Sequence, residues 1–357
     1  MTLERLKELR AEIDAIDDRI LELLNRRAKA AIEVGSIKTE RNLTFYVPER
    51  EVEILRRLTA ANDGPFPNDG LKAIYREIIS ASLALEKPLS VAFLGPQATF
   101  THLACLKHFG ESAEYVPQIN LSGVFDAVDR NAADFGVVPI ENSSEGIVSN
   151  TLDMFVDYNL LICGEILVEV AHDLLNVTGD IDHVRKVYSH PHAIAQCRGW
   201  LERNLREIPV FDVESTARAA ELAADDPGAA AIAGEAAAKI YGLKAIRKRI
   251  QDNTNNFTRF IIIGKIAPKR TGNDKTSILF AARDEVGALH LMLEPFAKNK
   301  VNLTKIESRP VKTKAWEYLF FLDMEGHISV EPVAKAVDEL RLRAQYLKIL
   351  GSYPRAV

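Results

Sequence analysis

The first 34 residues contain neither glycine nor proline, and apolar residues recur through them at alternating spacings of three and four: Leu6, Leu9, Ile13, Ile16, Ile20, Leu23, then Ala30 and Val34. Such a heptad seam is what one α-helix presents to another. The pattern runs on to about residue 39, which makes a helix about 55 Å long at 1.5 Å per residue. A helix of that length cannot bury its seam against a small core, so a second long helix must cover it. One seam position is not apolar: it holds Arg27. A guanidinium in an apolar stripe is costly unless an anion meets it. Lys38 returns to within about 20° of the same helix face. The two cations can each be matched by an acid on a neighbouring helix, or they can frame a site for a small anion.

At about 100–200 residues per domain, a chain of 357 residues makes two or three domains. A formal net charge of −5 gives no basis for nucleic acid or an anionic membrane as partner. No apolar run approaches the roughly 18 residues of a membrane span, and the charged N-terminus does not read as a secretory signal. Cys105, Cys163 and Cys197 are far apart and odd in number, which suits neither a disulfide framework nor a zinc site. A cytoplasmic protein with reduced thiols is expected. No two glycines stand two residues apart, so the dinucleotide fingerprint is missing, and no Gly-rich loop ends in Gly-Lys-Ser/Thr. Neither a cofactor nor a metal is expected.

Patterning divides the chain in three. After the long first helix, residues 48–61 and 68–86 also read as helical, separated by the breaker run Asn62-Asp63-Gly64-Pro65-Phe66-Pro67. These helices cannot bury their own stripes, so an intertwined helical dimer is expected for residues 1–87. From 89 to 267, short apolar runs (89–95, 135–140, 160–166, 185–188, 229–233, 260–263) alternate with helical stretches. That alternation predicts an α/β domain, in two lobes given its length. The Ala-rich stretches 217–224 and 229–238 read as helix and strand core, and 268–275 as a polar linker. From 276 to 357 the order is strand, helix, strand, strand, helix, strand (276–282, 287–298, 302–308, 316–324, 330–342, 346–350), the ferredoxin-like arrangement.

In the first segment Ile74, Ile78, Ser82 and Glu86 follow one another at i, i+4, so two polar groups extend an apolar stripe. Arg50 and Glu51 open the second helix. Together with Arg27 and Lys38 these residues suit a small polyanion. Leu9-Arg10-Ala11-Glu12-Ile13-Asp14, Arg27, Val34-Gly35-Ser36-Ile37-Lys38 and Pro48-Glu49-Arg50-Glu51 resemble the all-helical class of chorismate mutases. The resemblance implies an intertwined dimer that binds chorismate through Arg27, Lys38, Arg50, Glu51, Ser82 and Glu86, with Arg10 reaching into the partner's site. The rearrangement to prephenate needs no nucleophile and no metal: cations and hydrogen bonds hold the folded conformer and stabilise charge on the ether oxygen. Val47 stands where many relatives have an acid, and Glu86 where many have Gln. A carboxyl donates to the ether oxygen only when protonated, so mutase activity is expected to fall as pH rises.

In the middle segment, polar clusters sit at predicted strand ends, where ligands of α/β sheets bind. They are Gly95-Pro96-Gln97-Ala98-Thr99-Phe100, Pro139-Ile140-Glu141-Asn142-Ser143-Ser144-Glu145-Gly146, Tyr188-Ser189-His190-Pro191-His192 and Asn256-Phe257-Thr258-Arg259-Phe260. Each alone can be a turn running into a strand or helix. As an ordered set they resemble prephenate dehydratases, whose two α/β lobes hold substrate in the cleft. The resemblance implies Thr258 as catalytic residue, with Thr99, Glu141, Asn142, Ser144, Ser189, Asn256, Arg259 and Phe260 about the substrate. An aliphatic hydroxyl is a poor acid, so Thr258 is expected to hydrogen-bond the leaving group or relay a proton, with Glu141 or Glu145 as its source. Ala98 stands where Gly is common, a mild change if the backbone there avoids positive φ. His192 stands where Gln is common. Read as i, i+2 residues of a strand, His190 and His192 share a face without further ligands, so no metal is expected.

In the third segment Val286-Gly287-Ala288-Leu289-His290 opens a helix, whose free amides can hold a carboxylate, and Glu307-Ser308-Arg309-Pro310 follows a strand. Both resemble the effector motifs of ACT domains in these dehydratases, with Val286 where Pro is common. The resemblance implies phenylalanine bound between paired domains at Gly287, Ala288, Leu289, Glu307, Ser308, Arg309 and Pro310, and feedback inhibition. The whole chain is therefore expected to be multidomain: an all-α intertwined helical dimer domain (1–87), a two-lobed α/β domain (89–267) and an α+β ferredoxin-like ACT domain (276–357). A bifunctional chorismate mutase and prephenate dehydratase is expected, as a homodimer or higher oligomer. A mutase fused to a prephenate dehydrogenase, the nearest rival enzyme, lacks support because this chain has no dinucleotide fingerprint. A non-catalytic amino-acid-sensing regulator built on the same domains is the rival of another class; it would bind phenylalanine and turn over neither substrate.

Overall fold

The computed structural model describes residues 3–41, 43–144, 146–282, 285–310 and 318–356. The chain forms two compact units, residues 1–90 with 109–114 and residues 91–108 with 115–357.

The first unit contains α1 (Leu3–Glu40), α2 (Pro48–Ala61) and α3 (Asn68–Glu86). Pro48 opens α2, where a missing N–H is harmless and the fixed φ suits a helix. Gly35 lets α1 and α3 approach closely, because a Cβ there would lie 3.0 Å from Glu86 Cα. The seam of α1 is open in the single chain: Leu6, Ile13 and Ile20 are 46%, 55% and 49% exposed.

From residue 90 onward come β1 (Ser90–Leu94), α4 (Phe100–Phe109), β2 (Glu114–Gln118), α5 (Leu121–Asp129), β3 (Phe135–Asn142), β4 (Gly146–Ile147), α6 (Ser149–Asp157) and β5 (Leu161–Glu169). A second group follows: β6 (Asp173–Asn176), β7 (Lys186–Ser189), α7 (Pro191–Gln196), α8 (Arg198–Asn204), β8 (Val210–Asp212), α9 (Thr216–Ala224), β9 (Ala229–Ala233), α10 (Glu235–Tyr241) and β10 (Lys244–Arg247). The chain then returns to the first group as β11 (Phe257–Gly264) and ends in β12 (Asp274–Ala281), α11 (Ala288–Lys298), β13 (Leu303–Pro310), β14 (Tyr318–Glu325), α12 (Glu331–Arg341) and β15 (Tyr346–Pro354).

Two sheets make the two lobes, in the orders β2-β1-β3-β11-β5 and β10-β6-β9-β7-β8. β1 and β3 run parallel, whereas β11 lies antiparallel between β3 and β5. The start of β11 thus lands at the carboxyl ends of both neighbours, with Thr258 opposite Asn142 on one side and Val168 on the other. The third sheet, β13-β14-β12-β15, has Ile278, Phe280, Leu322 and Met324 packed with Met292, Phe296, Val333 and Val337 of its helices. Its other face sends Leu279, Phe321, Leu350 and Tyr353 into the core of Val138, Ile140, Ile162 and Ile261 from the first lobe. β12 is buried along its whole length, as a strand covered on both faces must be. The polar stretch read as a linker is accordingly shorter, since Asp274 and Lys275 already belong to β12. The Ala-rich stretch 229–238 divides at Gly234 into β9 and α10.

Candidate active site

Two separate constellations bring expected site residues together. In the helical unit, Arg27 donates to the Ile78 carbonyl at 3.3 Å and to Ser82 Oγ. Lys38 Nζ donates to Glu86 Oε2 at 2.7 Å and to the Phe45 carbonyl at 2.9 Å. The Lys38 and Glu86 side chains are only 18% and 9% exposed, so solvent and salt screen this pair less than a surface ion pair. Both cations meet α3 from one face of α1, as the spacing predicted. Glu51 lies 3.5 Å from the Tyr46 hydroxyl. Burial pushes its carboxyl up to about 8, opposed by that hydroxyl and by Arg76. Arg10 and Arg50 are exposed, and Arg50 pairs with Glu53 at 2.7 Å; neither joins the cluster within one chain.

The second constellation lines a cleft of about 280 Å³ whose walls come from both lobes. The first turns of α4 and α9 open onto it through Phe100, Thr101 and Thr216, capped by Thr99 and Ser215. Helix N-termini favour carboxylates, so the cleft suits an anionic ligand. On its floor, one backbone amide fixes the orientation of a chain of side chains. The Ser144 N–H can only donate, and it meets Asn142 Oδ1 at 2.8 Å. Asn142 Nδ2 therefore donates to Thr258 Oγ1 at 2.8 Å and to Asn256 Oδ1 at 3.0 Å. Asn256 Nδ2 in turn donates to Gln196 Oε1 at 2.9 Å, which makes the His172 Nε2 at 2.9 Å from the same oxygen a donor. Because Thr258 Oγ1 accepts from Asn142, its own hydrogen can point into the cleft.

Of the residues expected about this site, Thr99, Asn142 and Thr258 line the cleft. Asn256 and the Ser144 backbone support them from behind. Ser189 is fully buried, donating to the Ile232 carbonyl, and Phe260 is core. Glu141 and Arg259 turn to the other face of the sheet, where Glu141 pairs with Lys305 at 2.8 Å and Arg259 with Asp323 at 2.5 Å. Glu145 lies outside the described residues. Among the described residues, the ionisable groups lining the cleft are His172, His190, His192 and Glu214. His190 and His192 are not strand residues: His190 caps α7, accepting from the His192 N–H. Gln196 and His172 escaped the sequence reading, since no motif marks either. Ala98 has φ +67°, so the condition for a mild Gly-to-Ala change does not hold.

In the third sheet, Gly287 caps α11 at φ +82°, where glycine is the suited residue, and Leu289 is exposed. Glu307, Ser308, Arg309 and Pro310 close β13, an edge strand, and Arg309 reaches Asp153 of α6 at 3.6 Å.

Family models match in chain order: chorismate mutase type II over residues 9–87, prephenate dehydratase over 91–268 and the ACT domain over 276–342. A bifunctional chorismate mutase/prephenate dehydratase of Aquifex aeolicus is 53% identical over 359 residues, covering 99% of each chain. Among solved structures, prephenate dehydratase from Arthrobacter aurescens, in complex with L-Phe, is 36% identical, with TM-score 0.69 over 75% of this chain and 90% of that one. GqqA, described as a novel type of quorum quenching acylase, is 30% identical, with TM-score 0.68 over 74% of this chain and 97% of that one.

Proposed function

Because the chain belongs to the bifunctional chorismate mutase/prephenate dehydratases, we propose that its two constellations carry the two reactions in turn. The enzyme converts chorismate to prephenate, and prephenate to phenylpyruvate, water and carbon dioxide. The observation that carries the assignment of sites is the Asn142–Thr258 hydrogen bond on the floor of an anion-suited cleft, in a unit separate from the Arg27–Lys38 face.

At the helical site, Arg27 meets a carboxylate of chorismate and holds the compact conformer, while Lys38 faces the ether oxygen on which charge builds. Ser82 and Glu86 already touch these cations and would be rearranged by the ligand. Arg10 and Arg50, which face solvent in the single chain, are suited to sites formed with a second copy. The open seam of α1 supports a homodimer; a single-chain mass in sedimentation would contradict it.

At the cleft, the ring carboxylate of prephenate leaves as carbon dioxide, its bonding pair enters the ring, and the ring hydroxyl departs with the aromatisation. Hydroxide is a poor leaving group, so it must gain a proton as it goes. Thr258, with Asn142 occupying its oxygen as acceptor, donates its hydrogen to that hydroxyl and relays a proton from within the cleft. The α4 and α9 N-termini hold the carboxylates. GqqA is alike over 74% of this chain, and fold alone does not choose an activity.

Phenylalanine, bound at Gly287–Leu289 and Glu307–Pro310, is the effector. No helix among the described residues is long and apolar enough to cross a membrane, and Cys105, Cys163 and Cys197 are buried and unpaired, which suits the cytoplasm. Incubation with chorismate tests the reading: prephenate then phenylpyruvate should appear, the second step slowing with phenylalanine. Turnover of neither substrate would refute it.

A further inference from the structure

Thr258 and Arg259 are chain neighbours, as are Asn142 and Glu141, and the β3–β11 register sets Thr258 against Asn142 and Arg259 against Glu141. Successive residues leave a strand on opposite faces. The pair that lines the cleft is therefore backed, through one peptide on each strand, by a charged pair on the far face. Of that pair Arg259 is withdrawn from solvent, its side chain 8% exposed, while Glu141 stays 38% exposed at the rim. Arg259 is held by Glu165 at 2.7 Å, Asp323 at 2.5 Å and the Tyr353 hydroxyl at 3.0 Å, and Glu141 by Lys305 at 2.8 Å. Lys275 adds a bond to Glu165 at 2.8 Å, so three cations and three carboxylates close one cluster. Asp323, Lys305, Lys275 and Tyr353 come from the four different strands of the third sheet.

We propose that Arg259 and Glu141 are positioning residues for Thr258 and Asn142, and that Asp323 and Lys305 of the third sheet set where they stand. Glu141 apart, the charges are buried: Asp323 is wholly inaccessible and the Arg259 and Lys305 side chains are 8% and 9% exposed, so each of these three has few alternative partners. The guanidinium and Lys275 hold Glu165 below its ordinary value although burial pushes it up, and Arg259 is held charged. A shift of β13 or β14 must move Arg259 and Glu141, and with them the hydrogen bond on the cleft floor. Lys305 precedes Glu307 on the same strand, so an effector bound at 307–310 acts on this lever directly.

The inference rests on the dehydratase reading of the cleft, and the wild-type chain separates the two. If wild type does not turn over prephenate, that reading fails. If it does, the full-length Asp323→Asn variant should lose about 10-fold in kcat on prephenate, with KM within about twofold and chorismate turnover unchanged. Lys305→Gln, at the sheet edge, is the milder second variant and should lose kcat by about threefold. Adding Glu141→Gln to it should cost less than the product of the two single losses, because the two residues share a contact. Wild-type kcat in both single variants, a loss carried by KM, or a double variant as slow as the product of its parts would overturn the proposal.

Discussion

Glu51 in the folded helical unit keeps its proton up to about pH 8, whereas its ordinary carboxyl value is 4.5. Between those two values the folded chain binds the extra proton, so stability falls as pH rises through that window. Thermal unfolding of the helical signal should show Tm declining from about pH 5 to pH 8, and Glu51→Gln should remove that part of the slope; parallel curves for the two chains would contradict the assignment. Neighbouring residues in one motif do not share one role. The resemblance brought Thr258 and Arg259 to the site together, but the motif does not say which face each residue takes once β11 is paired on both sides. Ala98 shows a similar limit. Its left-handed backbone, at a cost of about 1–2 kcal/mol, is written nowhere in its local sequence. Arg27, Lys38, Ser82 and Glu86 were legible because helix spacing alone fixes which faces they occupy.

Helices and strands differ in how much of their setting they announce. α1 was readable almost to its ends, since a heptad pattern free of Gly and Pro through residue 34 has one regular solution. The direction of β11 was not readable, because an apolar run looks the same whichever way it enters a sheet. That direction is what delivers Thr258 to Asn142. The close approach of α1 to α3 gives a test at this scale. Gly35→Ala gains about 1 kcal/mol of helix propensity, but its new Cβ meets Glu86 Cα, which is backbone and cannot swing aside. Overpacking of this kind costs about 1–3 kcal/mol. The variant should lower the Tm of the helical signal and slow chorismate turnover by displacing Glu86 from Lys38, while turnover of supplied prephenate stays at the wild-type rate. Unchanged chorismate kinetics would show that the approach of the helices is not needed for the site.

At the scale of the whole molecule, the three helices form one compact unit, and the third sheet shares a core with the first lobe in the other. The order of three segments was legible from composition shifts and breaker runs, but the shared core between the third sheet and the first lobe was not. A strand buried on both faces, such as β12, reads from sequence only as a strand. The charged cluster behind the cleft was equally hidden, because its members are scattered from Glu141 to Tyr353. On the proposed function, one chain runs two consecutive reactions at two sites, the second depending on Thr258. The decisive experiment gives full-length Thr258→Val chorismate near neutral pH and follows prephenate and phenylpyruvate together. Chorismate should vanish at the wild-type rate while prephenate accumulates and phenylpyruvate formation falls by about 10²-fold or more. Phenylpyruvate appearing at the wild-type rate would remove Thr258 from the dehydratase reaction.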